Sequence, residues 1–198
     1  HLQNNVLYLG LIRLDKMGEL FQPYTLLDSI KTERPDAKAY FQYMANPVSK
    51  EFLLYRIGVP AANNKLNIDY FIISPSAEKT KKETRLLSFY PLKEDHTPVH
   101  FSKSGEVLIG IYDKGFTSGK GWNLTLYQFP RSSREIVTRI INYKDKIPVR
   151  PFFIQGGSEK EVQIASLYKN EGANRYEGFT ITSVDMVSRN AEPVTNTI

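Results

Sequence analysis

The segment from Glu106 to Phe129 limits what this chain can fold into more than any other. Two runs, Glu106–Asp113 and Trp122–Phe129, are rich in branched and aromatic residues. Between them lies KGFTSGKG, Lys114 to Gly121, a loop of glycines and lysines. Such runs suit a pleated, half-buried backbone, and the glycines suit a reversal of direction, so the segment reads as an antiparallel hairpin with an ornamented turn.

The same punctuation recurs along the chain. Strand-like runs are Asn5–Leu14, Glu51–Val59, Leu66–Ser74, Thr84–Leu92, Thr97–Ser102, Val149–Ile154, Glu161–Tyr168 and Tyr176–Val187. Asp15 to Gly18 and Ala61 to Lys65 read as turns, and Pro75–Lys82 as an exposed charged loop. Glu19–Asp36, interrupted by Pro23 and Pro35, reads as an excursion over the surface with a short helix near Leu26–Lys31. A second short helix is expected over Asp36–Asn46, with Asp36 as its cap and Pro47 as its stop. Arg131–Tyr143 carries both signals. Ser132 and Glu135 have capping-box spacing and Ile136, Val137, Ile140 and Ile141 recur at helical intervals, yet the same residues are β-branched; the reading here is helix.

Roughly nine or ten strands, with turn signals between them and one or two short helices, describe a mainly β chain. The expected architecture is a single-domain antiparallel β-sandwich over 1–187 with a loose tail at 188–198, and a partly open β-barrel is the alternative. Aromatic residues are 12% of the chain, with 12 Tyr and 11 Phe against a single Trp, which agrees with a β fold.

The chemistry offered by the residues is sparse. Cysteine is absent, so disulfides, thiolate metal sites and a cysteine nucleophile are excluded. Gly110 to Gly115 is followed by Phe116, and a strand rather than a helix follows the loop, so no phosphate-binding Walker loop is present. His96 and His100 are spaced like metal ligands, but Pro98 between them opposes a helix, and surface histidines are the plainer reading. No nucleophile elbow or paired carboxylate stands out, so the chain is read as non-enzymatic, with no cofactor and no metal.

Binding is the remaining expectation. The hairpin loop offers Lys114, Phe116 and Lys120, with Trp122 at its far end, and the run KTKKETR offers Lys81 and Lys82. The net charge of +5 permits an anionic partner without requiring one. The aromatic doublets Tyr40-Phe41, Tyr70-Phe71, Phe89-Tyr90 and Phe152-Phe153 place one ring on each face of a strand, one for the core and one for a second layer or a contact surface. No run of about 18 apolar residues occurs, so no membrane-crossing helix is expected. The first residue, His1, is read as a processed terminus, a tag remnant or a cut. These features describe an interaction or assembly module, a structural component of a larger complex such as a bacterial envelope machine or a viral particle, placed outside the cytoplasm. A β domain binding a glycan or an anionic ligand is the alternative.

Overall fold

Branched and aromatic residues at alternating positions produce strands from one end of the chain to the other. The computed structural model describes residues 2–3, 6–31, 41–58, 65–76, 78–88, 97–114, 122–155, 158, 160–170, 172–188 and 194–198, and no helix occurs among them. The first sheet contains β1 (Leu2–Gln3), β2 (Val6–Leu14) and β3 (Leu20–Lys31). The second contains β4 (Gln42–Ala45), β5 (Phe52–Ile57), β6 (Lys65–Ile73) and β7 (Lys79–Ser88). The third contains β8 (Val99–Phe101), β9 (Val107–Lys114), β10 (Trp122–Phe129) and β11 (Val137–Asn142). The fourth contains β12 (Lys146–Gln155), β13 (Glu161–Asn170), β14 (Gly178–Asp185) and β15 (Val194–Thr197). Neighbours in each sheet are consecutive in sequence and antiparallel, so each sheet is a meander, and none closes into a barrel.

The four sheets pack face on face in chain order. Leu9, Leu11 and Leu27 of the first sheet meet Leu54, Phe71 and Ile73 of the second. The opposite face of the second sheet, with Leu53, Leu66, Ile68, Tyr70 and Ile72, meets Val99, Val107, Ile109 and Ile111 of the third. The opposite face of the third, with Leu108, Tyr112, Leu124, Leu126 and Ile141, meets Val162, Ile164 and Val184 of the fourth. Sheet-on-sheet packing, the basis of a β-sandwich, is thus present three times in a stack of four layers. Successive meanders packed this way are also how blades follow one another in a β-propeller. Ile68 and Ile109 are fully buried at the same interface, and each such side chain contributes about 1.5–3 kcal/mol.

The opening hairpin forms as read: β9 and β10 pair from Val107↔Phe129 to Lys114↔Trp122. The helix expected over Arg131–Tyr143 is instead β11. Its residues alternate in burial and pair with β10 from Val137↔Gln128 to Asn142↔Asn123, so branching decides against helical spacing. The capping serine pattern is used differently: the Glu135 amide donates to Ser133 Oγ two residues back, 3.0 Å away, in a local turn. Residues 26–31 are not a helix but the second half of β3, and the Glu19–Asp36 excursion is strand as far as Lys31. Pro23 is accommodated because the β2–β3 register shifts between Leu11 and Arg13. In the second expected helix, Gln42–Ala45 is β4, while 36–40 lie outside the described residues. The charged loop is shorter than expected, since β7 already begins at Lys79. Within the tail, Val194–Thr197 pairs with β14, and Ile198 exchanges backbone hydrogen bonds with Phe179 at 2.9 and 3.0 Å.

Gly10 has a specific packing reason. It lies beneath the Tyr24 ring, and a Cβ there would fall 1.9 Å from a ring carbon.

Candidate functional site

The hairpin and the basic run come first. Lys114 closes β9, while Phe116 and Lys120 lie outside the described residues. Trp122 opens β10 opposite Lys114 and packs, partly buried, against the core between the third and fourth sheets. Lys81 and Lys82 are neighbours on β7, and strand periodicity sends them to opposite sheets. Lys82 forms an ion pair with Asp28 of β3 at 2.7 Å and lies over the Phe71 ring. Lys81 donates to the Pro130 carbonyl at the end of the third sheet, 3.1 Å away. Lys79 joins Lys82 on the first-sheet side, donating to the Leu27 carbonyl at 2.7 Å. Arg85 pairs with Glu83 on the same strand. The run therefore holds layers together rather than forming one basic surface.

Other charges tie layers or neighbouring strands together. Glu51 takes two hydrogen bonds from Arg131, at 2.6 and 2.7 Å, joining a turn of the second sheet to the segment after β10. Those bonds hold the Glu51 carboxyl below its ordinary value. Arg56 pairs with Asp69 across β5 and β6 at 2.6 Å. Arg139 of β11 donates to Gln128 and to the carbonyls of Asp185 and Ser188. Gln128 in turn donates to Glu106, whose carboxyl is raised by burial. His100 stacks on Phe153 of the fourth sheet with centroids 5.6 Å apart, and His96 lies outside the described residues. Among the described residues, no three His, Asp or Glu side chains converge as metal ligands would.

The aromatic doublets separate as strand geometry requires. Tyr70 enters the core between the second and third sheets, and Phe71 the core between the first and second. Phe153 packs against the core between the third and fourth sheets, and Phe152 remains 53% exposed.

Phe152 belongs to an uncharged face. On the outer side of the fourth sheet, register places Phe152, Ala165, Ile181 and Asn196 in one row. Ile154, Gln163 and Ser183 form the next, and Leu167 and Phe179, with Ile198 beside it, a third. None carries a charge, and Phe179 is 52% exposed. Among the described residues, Lys169 lies at one end of this face and Glu161 opposite Asp185 at the other, and Arg150 is exposed at the β12 bulge. A bulge between Val149 and Phe152, with Arg150 at φ 49°, puts both of those residues on the outer side despite their odd spacing. At the other end of the stack, the outer side of the first sheet exposes Ile12, Leu14, Leu20, Tyr24 and Leu26.

A third feature is an open cleft of about 390 Å³ between the first and second sheets. Leu11 and Arg13 of β2 form one wall, and Tyr43, Phe52 and Leu54 form the floor. The sequence reading did not single out these residues. They belong to ordinary strand alternations, in which the side that lines a cleft cannot be told from the side that is fully covered.

No protein-family model matches this chain, and the search of curated proteins finds no match. Among the described residues, no helix is long and apolar enough to cross a membrane.

Proposed function

We propose that this chain is a non-enzymatic assembly module, a stack of sheets that is extended when the outer face of the fourth sheet docks on another sheet. The observation that carries this reading is the run of three uncharged rows on that face, with Phe152 and Phe179 each about half exposed. Interfaces have this anatomy: charge is depleted at the centre and polar groups form the rim. Stacked repeats stay apart in solution when their terminal units present a polar outer face, and this end unit does not.

The occupant is the outer face of the first sheet of a second copy. That face is also apolar, with Ile12, Leu14, Leu20 and Leu26 exposed. The contact would continue the three face-on-face interfaces already present within the chain. It is a head-to-tail contact, which yields rings or filaments according to the rotation per copy. The buried carboxylates and guanidinium groups support a non-catalytic reading, because they are committed to joining layers or neighbouring strands.

Sedimentation velocity from about 1 to 200 μM tests the reading, since a second copy binds by mass action. The expected result is concentration-dependent growth, abolished by Phe152→Lys combined with Phe179→Lys. A monomer throughout that range for the unaltered chain overturns it.

A further inference from the structure

The sheets draw together along one side. Among the described residues, the closest strand-to-strand approaches between sheets all involve a first strand: β4 touches β8, and β12 touches β8 and β10. Side chains make the same joins. Just past β4, the buried Asn46 donates from Nδ2 to the carbonyls of Ser102 and Lys103, just past β8, at 2.8 and 3.2 Å. His100 of β8 stacks on Phe153 of β12. Twisted sheets joined along one edge turn about a common axis, which is the arrangement of propeller blades.

The sheets are also built alike. The hairpins β2–β3, β4–β5 and β8–β9 close in the same way, with the amides of Asp15, Asn46 and Ser102 donating to the carbonyls of Glu19, Glu51 and Glu106 at 2.8, 2.8 and 2.9 Å. Units that repeat in this way can meet a further copy through the contact they already make with one another. Four of them leave the arc open. Leu20 and Leu26 on the first sheet, and Phe152 and Phe179 on the fourth, are each at least half exposed, which they would not be if the two end sheets of one copy met.

We infer that two copies close head to tail into one ring of eight sheets, with β4, β8 and β12 of each copy bordering its axis. The inference rests on the docking of the fourth sheet proposed above and adds its stoichiometry. Sheets that fan about an axis return on themselves when the fan is continued, and closed rings of four-stranded sheets hold about four to eight units. Two copies of four sheets make eight, within that range, and three copies would make twelve. Closure at two covers both apolar end faces of each copy at once, so neither face is left to recruit a third copy.

The test is the mass of the assembly, by sedimentation equilibrium of the whole chain from about 1 to 200 μM. The unaltered chain should rise to twice the monomer mass and stop there. Phe152→Lys with Phe179→Lys, which alters the fourth sheet, should lose association. So should Leu20→Glu with Leu26→Glu, which alters the first. Mixing the two variants should restore a pair of one copy each and nothing larger, because one apolar contact is intact and the other now sets lysine against glutamate. Growth of the unaltered chain past two copies overturns the ring and leaves the docking of the fourth sheet standing. A monomer throughout overturns both. Pairing of the Leu20→Glu, Leu26→Glu variant by itself overturns the ring, because the first sheet would then take no part. A mixture that stays monomeric, with both variants retaining the strand signal in far-ultraviolet circular dichroism, overturns it as well. Where a variant fails to fold, the limiting mass of the unaltered chain decides alone.

Discussion

Removing the Arg139 side chain should loosen the fourth sheet from the third before the rest of the molecule unfolds. The guanidinium is buried and makes three contacts: Nη1 donates to Gln128 Oε1 at 2.6 Å, and Nη2 donates to the carbonyls of Asp185 and Ser188 at 3.0 and 3.1 Å. The first contact lies within the third sheet, and the other two reach the end of β14 and the residues after it. Hydrogen bonds to a charged group contribute about 1.5–3 kcal/mol each, but part of that offsets the desolvation of the guanidinium. Arg139→Ala also leaves a buried Gln128 acceptor without its donor, at a cost of about 1–3 kcal/mol. The expected loss is about 1.5–3 kcal/mol, because the partners left behind are neutral acceptors rather than an unpaired buried charge. Arg139→Lys should fall between, because it keeps the charge but cannot divide two nitrogens among three acceptors.

The chain provides its own probe of where the loss falls. Trp122 is the single tryptophan and packs at the interface between the third and fourth sheets. In a urea titration, its fluorescence transition should move to lower urea in Arg139→Ala than the transition seen by far-ultraviolet circular dichroism, which reports all four sheets. In the unaltered protein the two should lie closer together. A loss below about 1 kcal/mol would refute the assigned role of Arg139. Coincident transitions in the variant would refute the claim that its contribution is local to this interface.

Two further outcomes follow from particular contacts. Because Arg131 lowers the Glu51 carboxyl below its ordinary value of 4.5, its contribution is complete above that pH and is lost as pH falls through the lower folded value. Urea unfolding at pH 7 and near pH 3 should therefore show the advantage of the unaltered protein over Glu51→Gln shrinking on acidification, and a constant difference would contradict it. Gly10→Ala should cost about 0.5–1.5 kcal/mol by forcing the half-exposed Tyr24 ring off its rotamer, and thermal unfolding should show that penalty largely absent when Tyr24→Ala is already present.

Much of this architecture was legible in the residues. The β9–β10 hairpin could be read because its strands are dense in branched residues and glycines mark the reversal, with no competing period. β11 could not, because Ile136, Val137, Ile140 and Ile141 satisfy both a helical and a branched-strand pattern, and pairing with β10 decides between them. The bulge at Arg150 hid the outer face from any count of alternation, since Val149 and Phe152 share a side only after an extra residue is inserted. Phe179, Ile181 and Ser183 were visible as one face of β14, but whether that face is covered depends on the order of layers, which is a property of packing.

The basic run at Lys79 to Arg85 shows why charge in sequence misleads most in a stack of this kind. A contiguous run becomes a charged surface only where neighbouring residues face the same solvent. On a strand they alternate, and in an inner layer both faces are covered. Lys82 is therefore delivered to Asp28 of the first sheet, and Lys81 to the Pro130 carbonyl of the third. One cluster in the sequence becomes two separate ties between layers. Among the described residues, the surfaces that the layering does not cover are the outer faces of the end sheets. Their residues are ordinary leucines, isoleucines and phenylalanines, which the sequence alone does not distinguish from those of the inner layers.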